Sequence, residues 1–156
     1  MLHDGVLDIL PILLWHNVPM ASAAKTLPYK PMLTALRLDL AQVESGVPLS
    51  AIAEFVSSSG ISLNDIYSVV IPKRTLKHRR ERKEALTRDE SDKFARLVRV
   101  YDHAVNVLES SERALLWLNS TKHRFGERTP MEMLQTEIGA RSVEEFLGQI
   151  DYGIFA

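Results

Sequence analysis

The residues with the plainest chemistry are the cations packed between positions 73 and 83. Lys73, Arg74, Lys77, Arg79, Arg80, Arg82 and Lys83 share that stretch with a single acid, Glu81. The rest of the chain holds 12 basic against 19 acidic residues, although the net charge of the whole is only −1. A mildly acidic body therefore carries one compact basic element, a distribution that suits an anionic partner. Nucleic-acid phosphate is the anion this chemistry fits. The bland alternative is a solvated linker between two helical units, since charge runs are commonly solvated faces.

Catalytic chemistry has far less to hold. His3, His16, His78, His103 and His123 include no pair four apart on one helical face, the spacing a metal needs there. There is no cysteine, so no thiol nucleophile, thiolate metal site or disulfide framework. Gly-rich phosphate loops and nucleophile elbows are missing as well. Asp89-Glu90 and Glu144-Glu145 fall where first turns of helices are expected, and the helix macrodipole accounts for acids there. No enzyme, cofactor or metal is expected.

A second candidate site is the segment Tyr152-Gly153-Ile154-Phe155-Ala156. Three large side chains at the end of a chain either fold back onto their own domain or enter a partner's pocket, where aromatics contribute area at low rotamer cost. Val6 to Trp15 is apolar but too short to span a bilayer, and it contains Asp8 and Pro11. With no Lys or Arg before it, a signal peptide is not expected either, and the chain reads as cytoplasmic with no membrane partner.

The elements that must position these residues all read as helices. At 156 residues and 46% hydrophobic, the chain can bury a real core. Residues 1–30 form an arm punctuated by Pro11, Pro19 and Pro28. From Pro31 a helix is expected through Leu33, Leu36, Leu40 and Val43 to a stop at Gly46. Leu49, Ile52, Ala53 and Val56 give a second amphipathic helix, closed by Ser57-Ser58-Ser59-Gly60. Ser62 can cap a short helix carrying Asp65 and Ile66. The basic helix Lys73–Arg80 follows Ile71-Pro72, and the pair reads as a helix-turn-helix with Ile66 and Leu76 inward. Under that reading Lys73, Arg74, Thr75, Lys77, His78 and Arg80 reach DNA bases or phosphates. A rival placement reads DNA with Ser62–Val69, presenting Asn64 and Tyr67, but that helix has no cation to secure phosphates.

Beyond residue 85, Thr87 with Glu90 makes a capping box for a long helix whose apolar face is Phe94, Leu97, Val98, Tyr101, Val105 and Leu108. Ser110 or Ser111 can start a helix with Ala114, Leu115, Trp117 and Leu118, where Trp117 reads as a core anchor. Thr129-Pro130 is a helix start. Gly139-Ala140 reads as a break, followed by a capping box of Ser142 with Glu145 and a last helix burying Val143, Phe146, Leu147 and Ile150. Gly153 suits a left-handed stop. The fold class is all-α, a helix-turn-helix domain followed by a small helical bundle. The expected division is an arm at 1–30, a DNA-binding domain at 31–84 and a second helical domain at 85–156.

Several of these residues sit in a recognisable frame. Ala114-Leu115-Leu116-Trp117-Leu118-Asn119, Gly126-Glu127-Arg128-Thr129-Pro130-Met131, Thr136-Glu137-Ile138-Gly139-Ala140-Arg141, then Val143, Leu147 and Gly153, resemble the toxin-binding domain of Xre/MbcA/ParS-type antitoxins. Ile71 to Arg79 is similar to the helix-turn-helix segment of the same family, with Val70 where the family often has glycine. A β-branched residue resists positive φ, so an opened or strained turn is expected at Val70. The resemblance implies an antitoxin that binds operator DNA and neutralises a cognate RES-domain toxin, an NAD-degrading relative of ADP-ribosyltransferases. It implies that the C-terminal segment blocks the toxin's active site, with Arg128, Arg141, Tyr152, Gly153, Ile154, Phe155 and Ala156 at the contact. A homodimer is expected, because helix-turn-helix proteins usually read two half-sites. The runner-up is a stand-alone DNA-binding regulator whose C-terminal bundle only dimerises; a third reading is an adaptor that binds no DNA.

Overall fold

A computed structural model of the chain describes residues 38–153. The arm at 1–30, the helix start expected at Pro31 with Leu33 and Leu36, and Ile154, Phe155 and Ala156 lie outside the described residues. Eight α-helices and one 3-10 turn make up the described chain, and no β-strand occurs among these residues.

Most helix starts follow from a single side chain. Helix α1 (Leu40–Ser45) is opened by Asp39, whose carboxylate accepts the Gln42 N–H while the Gln42 side chain accepts the Asp39 N–H. Asp39 is extended there, so the expected run from Pro31 does not pass unbroken through it, and Leu40 faces solvent. Helix α2 (Leu49–Ser59) ends on Gly60 in the left-handed region. Helix α3 (Leu63–Val69) starts with the Ser62–Asp65 capping box, and α4 (Lys73–Arg82) follows after a three-residue turn. Helix α5 (Arg88–Leu108) carries the expected Thr87–Glu90 box, and α6 (Ser111–Leu118) is capped by Ser110. A 3-10 turn (His123–Phe125) leads to α7 (Pro130–Met133), begun by Thr129 with Glu132, and then to α8 (Glu137–Asp151).

The start of α8 departs from expectation. Thr136, not Ser142, is its cap: the Thr136 hydroxyl accepts the Gly139 N–H at 3.0 Å. Ser142 lies inside the helix and donates to the Ile138 carbonyl. Gly139-Ala140 is therefore no break. Gly139 is helical and buried, and a Cβ on it would overlap the Met133 carbonyl, so glycine is there to let two backbones meet.

Helix α5 is the axle. It packs against α1, α3, α6 and α8, while α7 packs against α3, α6 and α8. One buried cluster runs from Val47 to Leu147 through both halves. Its centre is aromatic: Phe55 meets Phe94 and Tyr101 edge-on at 5.5 and 5.6 Å, a favoured geometry for rings. The Tyr101 hydroxyl donates to the Ser59 carbonyl at 2.9 Å, so this buried phenol is satisfied. A second aromatic group, Trp117, Phe125 and Phe146, anchors the C-terminal half, with the Lys122 ammonium 5.3 Å above the Trp117 ring. Buried polar bonds tie the start of α5 to the loop before α2: the Val47 N–H donates to Ser91 Oγ, and Leu86 N–H to the Val47 carbonyl.

Candidate DNA-reading helix and partner-binding end

Helix α4 is held to the body by few apolar contacts. Of its ten residues only Leu76 is buried. The turn before it is compact: Val70 and Ile71 both donate their N–H to the Ile66 carbonyl, and both side chains are buried. Val70 has φ −104° and ψ −59°, an ordinary right-handed conformation, so no positive φ is needed and the expected strain is absent. What glycine would contribute by flexibility, Val70 replaces with a buried side chain.

With Leu76 inward, helical periodicity sorts the other side chains. Lys73, Arg74, Lys77 and His78 are all exposed and share one outward face. Thr75 is half-buried beside them. Arg80 diverges: it lines an apolar groove with Leu49, Ile52, Val56, Leu63 and Leu76, between α2 and α4. Arg79, on the other flank of Leu76, turns back to the body and lies against Glu90. Glu81 stands on the outward face, 3.9 Å from Lys77 Nζ and 3.7 Å from His78 Nδ1. No side chain caps the N-terminus of α4, which begins after Pro72. A helix start without a side-chain cap and a row of cations are together suited to phosphate.

The C-terminal candidates are scattered over two helix ends. Arg128 sits in the loop before α7, where its Nε donates to the Phe125 carbonyl at 3.1 Å. Arg141 lies in the first half of α8, with Nε 3.7 Å from Glu137 Oε1 and its side chain largely in solvent. Tyr152 is at the far end of α8 and 79% exposed, and Gly153 has φ +63°, the expected left-handed stop. Eleven residues of helix separate Arg141 from Tyr152, roughly 16 Å along the axis. That spacing is close to three turns, so the two share a side of α8 without touching.

Sequence reasoning missed an ion lattice where α8 meets α5. Arg96, buried to 8% exposure, donates to Glu137 at 2.8 Å, to Asp92 at 3.0 Å and to the Leu134 carbonyl at 3.3 Å. Arg99 donates to Glu144 at 2.7 Å and to Glu137 at 3.3 Å. Burial alone would raise the Glu137 pKa, but the hydrogen bonds and charges of Arg96 and Arg99 outweigh it and hold the carboxyl below its ordinary value. The sequence signal was available only in part: Arg96 and Arg99 lie on the long helix, but nothing local tells which arginine turns inward. Among the described residues, no group of three His, Asp or Glu side chains could hold a metal ion, and no helix is long and apolar enough to cross a membrane.

A short capped helix, a tight turn and a cation-faced second helix, joined through one long axle to a further helical bundle, define a class: helix-turn-helix proteins with a second helical half. Comparison with known proteins narrows it. Residues 39–99 match the family described as the antitoxin Xre-like helix-turn-helix domain, a match that ends inside α5. Residues 103–153 match the antitoxin Xre/MbcA/ParS C-terminal toxin-binding domain. Three relatives are each named antitoxin Xre. The Pseudomonas putida protein is 45% identical over 84 residues, which span 54% of this chain and 53% of that one. The Yersinia enterocolitica protein is 36% identical over 87 residues, 55% of this chain and 59% of the relative. The Photorhabdus laumondii protein is 33% identical over 114 residues, 72% of this chain and 77% of the relative. The aligned part is thus a little over half the length of the first two relatives. The chain belongs to the Xre antitoxin family.

Proposed function

We propose that the chain neutralises a cognate RES-domain, NAD-degrading toxin and binds operator DNA to regulate its own operon, acting as a non-enzymatic cytoplasmic homodimer. The observation that carries this reading is the pairing, on one chain, of an exposed cationic helix face with a helix end whose Tyr152 stands in solvent. Lys73, Arg74, Lys77 and His78 enter the major groove or contact its phosphates, flanked by Thr75 and Arg80. Two such helices in a dimer read two half-sites. The segment Tyr152–Ala156 fills the toxin's active site, and Arg128 and Arg141 contact its rim. A large aromatic side chain left in solvent beside a left-handed glycine supports a role for this end away from its own core.

The test is a truncation lacking Tyr152–Ala156, co-expressed with its cognate RES-domain toxin, with cellular NAD and melting temperature both measured. NAD should collapse while the melting temperature stays within a few degrees of the full chain, since Tyr152 and Gly153, the described residues removed, lie outside the buried cluster. Full protection of NAD by the truncated protein would sink the plug. A second arm replaces Lys73 and Arg74 with Ala: NAD protection should persist, while DNA binding weakens and its salt dependence flattens by about two phosphate contacts.

A further inference from the structure

The feature of α4 that DNA contact does not explain is Arg79. A helix with one buried apolar side chain in ten can rock about that contact, and a recognition helix that rocks cannot present Lys73, Arg74 and Lys77 in register. Leu76 fixes α4 at one point. Arg79, three residues on, supplies the second. Its Nε lies 2.8 Å from one oxygen of Glu90 as an ion pair without hydrogen-bond alignment, and one terminal nitrogen donates to the other oxygen at 3.2 Å, so the contact is a close charge pair with one hydrogen bond. The other terminal nitrogen donates to Glu84 at 3.3 Å and to the Ala85 carbonyl at 3.4 Å. All four contacts lie downstream of α4, in the loop and the first turn of α5. Both partners are sheltered, the Arg79 side chain at 18% and the Glu90 side chain at 12% exposure, so the pair escapes most solvent screening.

Glu90 is anchored in turn. The same carboxylate accepts the Thr87 N–H at 2.8 Å as the second half of the capping box that starts α5. Helix α5 is the axle of the core. The chain of contacts therefore runs from the rigid axle, through one carboxylate, to the C-terminal half of α4.

We infer that Arg79 and Glu90 are positioning residues for DNA recognition: the pair sets the angle of α4 on the body and touches no DNA. Arg79 is then distinct from the six other cations of the basic run. This inference rests on α4 being the DNA-contacting helix.

The test uses the full-length protein and a fluorescent duplex carrying the DNA just upstream of its own coding sequence, titrated at several salt concentrations. The variants are Arg79→Gln, Glu90→Gln and the double variant. Glutamine at position 90 keeps an acceptor for the Thr87 N–H, so the capping box survives while the charge pair is lost. Each single variant should weaken binding on the order of tenfold, about the worth of one lost charge-assisted bond. The slope of log affinity against log salt should not change, because no phosphate contact is removed. The double variant should be no worse than either single one. A slope reduced by about 0.9 in Arg79→Gln would make Arg79 a phosphate contact and overturn the inference. So would unchanged affinity in Glu90→Gln with intact helicity. Failure of the wild-type protein to bind the duplex would instead overturn the reading of α4 itself.

Discussion

Helices α4 and α8 are held to the body by opposite means, and each leaves one face in solvent. Helix α8 buries Gly139, Ala140, Val143, Phe146 and Leu147 along one side, and Phe146 is packed between Trp117 and Phe125. Helix α4 buries Leu76 and relies on polar bonds from Arg79 for the rest. Burial of a large apolar side chain contributes about 1.5–3 kcal/mol, so Val143, Phe146 and Leu147 of α8 together exceed what α4 draws from its single leucine. The difference teaches where each helix is vulnerable. Position on α8 depends on volume and close approach; position on α4 depends on charge.

The two glycines of α8 give the sharpest test of the volume side. A Cβ at Gly139 would overlap the Met133 carbonyl, a backbone group that cannot swing away. Gly139→Ala should therefore destabilise by about 1–3 kcal/mol, even though helix propensity alone favours alanine by about 1 kcal/mol. At Gly148 nothing lies within 4 Å of an added Cβ. Gly148→Ala should stabilise by about 0.5–1 kcal/mol. Urea denaturation of both variants checks the pair. Equal signs at the two positions would break the claim that approach, and not propensity, governs α8.

That contrast also marks what a reader of the sequence can and cannot see. Ser62 with Asp65, Thr87 with Glu90, and Thr129 with Pro130 were legible because a cap and its helix are neighbours in sequence. Gly139 was misread as a break because its reason lies in the Met133 backbone across a loop, and the false break displaced the cap from Thr136 to Ser142. The cationic face of α4 was visible as charge. Which cation turns inward was not, since Arg79 and Arg80 differ only by 100° of helix and by what each finds there. The same blindness hid Arg96, whose partners Glu137 and Leu134 lie about forty residues on.

Helix α5 serves both halves, and its charge economy should show in pH dependence. Burial pushes the Asp102 carboxyl from its ordinary value near 3.8 up to about 6. Between these values the folded state binds more protons than the unfolded one, so this group lowers stability as pH rises from 4 to 6 and keeps it lowered above. Glu137 has the opposite sign: its depressed pKa contributes stability at neutral pH that is lost as pH falls through the acid range. Asp102→Asn should raise the midpoint of urea unfolding at pH 7 and leave it nearly unchanged at pH 4. A variant less stable than wild type at pH 7 would mean that Asp102 has a charge partner and not merely a dry environment.

The smallest effect is expected on the charge side, at Glu81. It is the one acid in the basic run and stands on the same face as Lys77 and His78, 3.9 and 3.7 Å away. Both contacts are long and well exposed, so each contributes little to stability, on the order of 0.5 kcal/mol or less. If α4 is the DNA-contacting helix as proposed, their consequence for DNA is larger than for folding, because a phosphate at Lys77 would displace Glu81, whose own charge repels the duplex. Glu81→Gln should leave the melting temperature within about 2 °C, since a shift below ~0.5 kcal/mol moves a chain of this size no further. Affinity for DNA should rise about two- to fivefold at low salt, with the gain shrinking as salt screens the exposed charge. The measurement is the same salt titration applied to wild type and variant. A loss of affinity would show that Glu81 holds Lys77 and His78 in place, and α4 would then depend on its one acid as well as on its cations.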